Sequence, residues 1–227
     1  LEELKEYWVG SNKIALITFY RALVTSGNLK PIDFLIKRLL EQGINPLPVY
    51  VSSLKDQHSD EFIKQLTERL DVSVVLNTTA FAVSSTENPA KAGPFINTDG
   101  PVFQLILSSS EKDTWLASPT GLSPRDIAMN VALPEVDGRL ISRAVSFKSS
   151  AEYDRKTQCS VVTYEPVSDR ISFVVNLIIG WIKLRDIPID KKRLAIILSN
   201  YPNKDSRIGN GVGLDTPASA ISILRAL

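Results

Sequence analysis

Lys13-Ile-Ala-Leu-Ile-Thr-Phe19 is the stretch that decides the fold. It is apolar on both parities, where a strand with one wet face would alternate, so it predicts a strand buried on both faces of a parallel sheet. Tyr20 to Lys30 follows as a polar loop. Pro31 then stands where the first turn of a helix tolerates it, and Ile32, Leu35, Ile36, Leu39 and Leu40 recur at helical spacing. Gly43 ends that helix as a C-cap glycine does. Leu47-Pro-Val-Tyr-Val51 predicts a second strand, Phe62, Ile63, Leu66 and Leu70 a second helix, and Val72-Ser-Val-Val-Leu76 a third strand. Short connections in β-α-β-α-β order belong to a doubly wound sheet. The expected fold class is α/β: a doubly wound, mainly parallel sheet of Rossmann or flavodoxin type, with helices on both faces.

The rhythm breaks at 77–100, a long segment dense in Ser, Thr, Asn, Pro and Gly. Loops of that length in compact domains are usually functional, and this one starts where open α/β sheets place their ligands. Pro101 to Leu107 restores a strand, Pro124 to Leu133 predicts a helix capped by Ser123, and Ile141 to Phe147 predicts another strand. From Ser168 a helix closes the domain at about residue 186. It is apolar nearly all round, which predicts burial between layers or domains. The organisation read from this is an α/β domain over 1–187 and, over 188–227, the first βα unit of a following, truncated domain, with Leu194-Ala-Ile-Ile-Leu198 as its strand and a helix from about Pro217.

Composition bounds the function. Of the 227 residues 26 are Lys or Arg and 25 Asp or Glu, a formal charge of +1 that offers no footprint for nucleic acid or an anionic membrane. One Cys (Cys159) and one His (His58) exclude a disulfide framework and a Cys/His zinc site. A lone His at the start of a helix reads as solvated, and Cys159 has no second His to form a nucleophile pair. The apolar stretch Ile171 to Ile182 falls short of the roughly 20 residues a bilayer requires. The only Met is Met129 and no signal segment opens the chain. The expectation is a cytoplasmic protein with no integral membrane segment, cut from something longer.

Several residues have the chemistry of a site. Glu135 and Asp137, beyond a helix in a turn set by Pro134 and Gly138, suit a proton-transfer pair or oxygen ligands for a hard metal; they equally suit a turn in which Asp137 bonds its own backbone. Trp115, outside any periodic segment, either stacks on a planar ligand or caps the end of the sheet. Gly209, Gly211 and Gly213 follow a strand and precede a helix, as phosphate-cradling loops do. A dinucleotide loop would need a small residue where Leu214 stands, and the alternative is a tight loop with glycines at positive φ.

Six stretches together carry a family resemblance: Phe19-Tyr-Arg-Ala22 with Ser26-Gly-Asn28, Asn45 through Asp56, Val75 through Ala82, Ser118-Pro-Thr-Gly-Leu-Ser-Pro-Arg-Asp126, Ala132-Leu-Pro-Glu-Val-Asp-Gly-Arg139, and Asn200-Tyr-Pro-Asn203 through Pro217. In this order they resemble the large subunit of the cobalt chelatase of aerobic cobalamin synthesis and, more distantly, the large subunit of magnesium chelatase. Members are several times longer, so the resemblance implies an internal fragment. It also implies ATP-dependent insertion of Co²⁺, as substrate metal, into a corrin precursor, hydrogenobyrinic acid a,c-diamide. That is ligase chemistry in a multisubunit complex, the isolated fragment being inactive. ATP would be used by AAA+-type partner subunits working with accessory chelatase subunits, and this segment would hold no cofactor tightly. Two other roles remain within the resemblance: a scaffold that docks partners or shapes the cavity, and a magnesium chelatase-like paralogue acting on a porphyrin. On this reading Glu135 is the first candidate for base and transient metal ligand, with Asp137 in support. Arg21, Arg125 and Arg207 would pair with tetrapyrrole carboxylates, beside Trp115 as a binding residue.

Overall fold

The structure, a computed structural model, describes residues 2–84, 93–149, 152–198, 200–201 and 209–227. It forms two compact units, Leu1–Asp186 and Ile187–Leu227. In the first, the elements run α1 (Glu2–Lys5), β1 (Ile14–Tyr20), α2 (Arg21–Thr25), α3 (Lys30–Glu41), β2 (Asn45–Val51), α4 (Gln57–Arg69) and β3 (Val72–Asn77). Then follow β4 (Val102–Glu111), α5 (Lys112–Ala117), α6 (Pro124–Ile127), a π-helical turn (Ala128–Ala132), α7 (Leu133–Val136), β5 (Leu140–Lys148), a small hairpin β6 (Glu152–Asp154) and β7 (Cys159–Val161), β8 (Tyr164–Pro166) and α8 (Ser168–Asp186).

The six-stranded sheet has the order β2-β1-β3-β4-β5-β8, with β1 to β5 parallel and β8 antiparallel against β5. The order 2-1-3-4-5 is the flavodoxin-like doubly wound arrangement, and it bears out the α/β expectation. Each face buries its own set of residues, as continuous apolar runs require. Ala15, Ile17, Val74, Leu76 and Leu105 pack against α3 and α8. Leu16, Val49 and Val75 pack with Ile63 of α4, while Ile106, Ala144 and Phe147 continue that second layer under Trp115. Gly43 ends α3 at φ +73°, with its N–H on the Leu40 carbonyl and that of Ile44 on Leu39, a Schellman closure. Along the edge strand β2, Pro46 and Pro48 remove ladder donors, and the Trp8 indole covers the Pro46 carbonyl at 3.0 Å.

Three elements depart from the sequence reading. The helix expected to end at Leu133 runs on to Val136, because the π turn absorbs Pro134. On α8, Ile171, Val174, Val175, Ile178 and Ile182 are buried while Phe173, Trp181 and Leu184 stay exposed, so it is buried on one side only. Leu194–Leu198, expected as a strand, pairs with nothing among the described residues: an apolar run becomes a strand only where another strand takes its backbone bonds, and here the side chains are exposed. The second unit otherwise holds a short 3₁₀ turn (Ile189–Lys191) and α9 (Thr216–Ala226), capped by the Asp215 carboxylate on the Ala218 N–H at 3.0 Å. Gly209 and Gly213 there adopt φ +62° and +75°.

Gly100 is required by contact. A Cβ at that position would lie 2.5 Å from the Ser73 carbonyl oxygen of β3. Backbone cannot yield as a side chain does, so Gly100→Ala is expected to lower stability by about 2 kcal/mol, within the 1–3 kcal/mol range of overpacked sites. Denaturant unfolding checks this, and an unchanged midpoint would show that the β3–β4 connection relaxes freely.

Candidate functional site

In a sheet of this order the connections leave β1 and β3 in opposite directions, which opens a crevice beyond their carboxyl ends. Two cavities lie there. One, of about 270 Å³, is walled by Tyr20, Thr78, Ala80, Phe81, Ser109, Arg125, Asp126, Met129, Asn130, Lys148 and Tyr164, with Leu23 and Leu107. The other, of about 230 Å³, is walled by Ser53, Leu54, Lys55, Ala82 and Val83, and shares Tyr20, Ala80 and Phe81 with the first. Tyr20, Ala80 and Phe81 thus form a partition with cations on both sides of it.

Arg125 reaches this place through a buried carboxylate. Asp126 accepts from Ser108 Oγ at 2.7 Å, from the N–H and Oγ of Ser109, and from Asn130 Nδ2 at 3.3 Å, which ties the start of α6 to the end of β4. Ser123 caps the same turn through the Asp126 N–H at 3.1 Å. With Asp126 saturated by donors, neither Arg125 nor Lys148 forms an ion pair among the described residues. Two tyrosines complete the wall as neutral hydroxyls. Burial pushes the Tyr164 hydroxyl up from its ordinary range, reinforced by the Asp126 charge and opposed by Arg125. Burial also raises Tyr20, against the Ala80 hydrogen bond and the Arg139 charge.

The partition rests on a polar network inside the sheet. Asn77 Oδ1 accepts from Thr18 Oγ1 at 2.7 Å and from Thr79 Oγ1 at 2.9 Å, and Asn77 Nδ2 donates to Gln104 Oε1 at 2.7 Å and to the Thr79 carbonyl at 2.9 Å. Tyr20 clamps Ala80, its hydroxyl accepting from the Ala80 N–H at 3.1 Å and donating to the Ala80 carbonyl at 3.2 Å. The next residue, Phe81, has φ +69°, a left-handed conformation that costs a bulky side chain on the order of 1–3 kcal/mol. Its N–H donates to the Met129 carbonyl at 2.9 Å. That acceptor is free because the Leu133 N–H bonds Ala128 across the π turn and Pro134, next in line, has no N–H.

The network ends on a buried ion pair. Arg139 Nη1 donates to Gln104 Oε1 at 3.1 Å and its Nη2 to Asp137 Oδ2 at 2.7 Å, the two side chains being 2% and 13% exposed. Asp137 also accepts from the Val83 N–H at 2.8 Å, the Ser84 N–H at 3.0 Å and the Ser84 hydroxyl. Burial alone would raise this carboxyl; the Ser84 and Val83 donors and the Arg139 guanidinium together hold it below the ordinary carboxylate range. Arg139 is lowered by burial and restored in part by Asp137. Both residues line a larger cavity of about 560 Å³ with Trp181, but the Asp137 carboxylate is taken up by Arg139, Val83 and Ser84, and both terminal nitrogens of Arg139 by Asp137 and Gln104.

Of the described residues singled out from sequence, only Arg125 lines the crevice. Arg21 is exposed as the first residue of α2 and lines neither cavity. Trp115 lies in α5, its ring 4.9 Å from that of Phe147 with the Arg170 guanidinium 4.8 Å over it, so it closes the end of the sheet. Glu135 is exposed on α7, outside both cavities and roughly 15 Å from Arg125 along the helix at about 1.5 Å per residue. Arg207 lies outside the described residues. His58 and Cys159 are exposed, and no group of three or more His, Cys, Asp or Glu that could hold a metal ion occurs among the described residues. No helix among them is long and apolar enough to cross a membrane. Sequence reasoning missed Tyr20, Lys55, Phe81, Lys148 and Tyr164; the available signals were position, since Tyr20, Lys55, Phe81 and Lys148 stand at or a few residues past the end of a strand while Tyr164 opens β8, and, for Tyr20, Lys55 and Phe81, membership of the family stretches.

Fold and crevice define an open, doubly wound α/β domain with a cationic, aromatic-partitioned site beyond its strand ends. The family described as CobN/Magnesium Chelatase matches residues 2–227, and the chain belongs to it. It is 46% identical over 211 residues to the aerobic cobaltochelatase subunit CobN of Sinorhizobium sp, and 43% identical over 227 residues to that of Pseudomonas aeruginosa. These matches cover 93% and 100% of this chain but 16% and 18% of those relatives, so the chain spans under a fifth of their length. Among solved structures, the catalytic subunit of cobaltochelatase from Mycobacterium tuberculosis superposes with a TM-score of 0.70 at 32% identity, over 94% of this chain and 18% of that one.

Proposed function

We propose that this chain is a segment of the tetrapyrrole-binding large subunit of an ATP-dependent cobalt chelatase, and that its crevice binds the periphery of the corrin precursor hydrogenobyrinic acid a,c-diamide. The observation that carries this reading is the pair of cations without carboxylate partners among the described residues, Arg125 and Lys148, set beside the neutral hydroxyl of Tyr164 in a member of this family. Cations recognise carboxylate side chains, and tyrosine hydroxyls donate to amides and carboxylates alike. Co²⁺ is the substrate metal. ATP hydrolysis belongs to AAA+-type partner subunits working with accessory subunits, and this segment holds no cofactor of its own.

Insertion requires two ring protons to leave. Glu135 is the proposed acceptor and transient metal ligand because its carboxylate is exposed and carries no hydrogen bond among the described residues, whereas Asp137 is held ionised and fully bonded and serves by fixing Arg139. Arg21 and Trp115, outside the crevice wall, stay in the proposal as a carboxylate-pairing and a binding residue, and Arg207 stays in it as a carboxylate-pairing residue.

In the full-length subunit, Arg125→Ala with Lys148→Ala is expected to weaken corrin-precursor binding at least about tenfold, measured by ligand absorbance and tryptophan emission, since each charge-assisted hydrogen bond contributes about 1.5–3 kcal/mol. Affinity within twofold of wild type would remove the crevice from the binding site. Glu135→Gln is expected to slow insertion with binding intact; if both are unchanged, the segment is a scaffold that shapes the cavity.

A further inference from the structure

We propose that Phe81 is the platform on which the apolar face of the tetrapyrrole rests, an inference that depends on the crevice being the tetrapyrrole site. Its backbone and its ring are at odds with a purely structural role. At Gly121 and Gly138 the chain enters the left-handed region with glycine, at φ +76° and +71°, where no side chain is strained. At residue 81 it enters the same region carrying a phenyl ring, and that ring is not repaid by packing, because Phe81 remains 44% exposed. Fixed partners hold the strained conformation: Tyr20 bonds both backbone groups of Ala80, and the Met129 carbonyl, left without a helical donor by Pro134, takes the Phe81 N–H. Strain of this kind persists where the surroundings over-determine it, and such positions cluster at ligand sites.

What the conformation achieves is placement. Phe81 belongs to the walls of both cavities, with Lys55 on one side and Arg125 and Lys148 on the other. An exposed aromatic ring flanked by cations is complementary to a ligand that is flat and conjugated at its centre and anionic at its rim. A small anion would need the cations and no ring; an apolar ligand would need the ring and no cations.

The test uses the full-length subunit and the corrin precursor as probe, with Phe81→Gly and Phe81→Tyr. Glycine removes the ring and the strain together, so Phe81→Gly is expected to keep Tm within about 2 °C of wild type or raise it while weakening binding about tenfold. Phe81→Tyr keeps the ring and is expected to bind within about threefold of wild type. Affinity of Phe81→Gly within twofold of wild type overturns the inference. So does a Tm drop beyond about 5 °C with affinity lost in parallel, which would assign the ring to packing. Wild-type subunit that binds no corrin precursor, or binds it equally well without Arg125 and Lys148, overturns the crevice reading and this inference with it. An effect of Arg125→Ala with Lys148→Ala but none of Phe81→Gly overturns the platform alone.

Discussion

Asp137→Asn is expected to destabilise the α/β unit by about 3–5 kcal/mol, the cost of removing one partner from a buried ion pair. The Arg139 side chain is 2% exposed and cannot shed its proton, so the substitution leaves a cation in the interior with no counter-charge. It also turns one acceptor oxygen into an NH₂ group facing donors, because the Val83 N–H, the Ser84 N–H and hydroxyl, and Arg139 Nη2 all point at this carboxylate. For a unit of this size the loss corresponds to a fall in Tm of roughly 10 °C, read by circular dichroism. Removing both charges, in Asp137→Asn with Arg139→Met, is expected to recover much of it. Acid supplies a second readout. The carboxyl sits below its ordinary pKa of 3.8 in the folded state, so its contribution is complete above that value and disappears as pH falls through the lower, folded value. Wild type and Asp137→Asn are therefore expected to differ most near neutrality and to converge on acidification. A variant within 1 kcal/mol of wild type at neutral pH would show that the pair is not the anchor described here. Loss of insertion activity in an Asp137 variant would thus report unfolding before it reported chemistry, which makes Glu135 the informative carboxylate.

The sheet was legible because burial on both faces writes itself as a run apolar on both parities, and Ile14–Phe19 and Val72–Leu76 are such runs, broken only by Thr18 and Ser73. Leu194–Leu198 is the same kind of run and forms no strand among the described residues: hydropathy records a demand for burial, and the partner that makes a strand is a property of the whole chain. The crevice was half legible. Its location follows from the strand order, and Arg125, Tyr20 and Phe81 stand in the family stretches, but Tyr20, Phe81, Lys148 and Tyr164 come from strand termini and loops far apart in sequence and meet only in the fold. The reach of Asp137 to Val83 and Ser84, across more than fifty positions, has no local signature, and two carboxylates in a turn look alike until one of them is found saturated. Nothing in the sequence announced the positive φ of Phe81. Pro134, inside an otherwise continuous helix, was the trace of the π turn that supports it.

The second large effect is expected at Asn77, where replacement by alanine should cost about 3 kcal/mol or more. Thr18, Asn77 and Gln104 are fully buried, and the amide is used on both ends: its oxygen takes Thr18 Oγ1, Thr79 Oγ1 and the Thr79 N–H, and its nitrogen serves Gln104 Oε1 and the Thr79 carbonyl. Alanine strands several buried donors at once, each at about 1–3 kcal/mol. Aspartate, which keeps the shape, is expected to fail for a different reason: it serves the donors but sets a second oxygen against two acceptors. Gln104 cannot turn to help, since its Oε1 already accepts from Arg139 and its Nε2 already donates to the Thr79 carbonyl. Asn77 is thus the side chain that fits from both directions, and Asn77→Ala and Asn77→Asp should both lower the denaturation midpoint. An unchanged midpoint in either would mean that water or relaxation satisfies the network. Because Asn77 and Gln104 both hold the Thr79 carbonyl, these variants also loosen Thr78 to Phe81. In the full-length subunit they are expected to lose stability and affinity for the proposed ligand together, whereas Phe81→Gly loses affinity alone. The contrast separates the residues that build the partition from the ring that the partition presents.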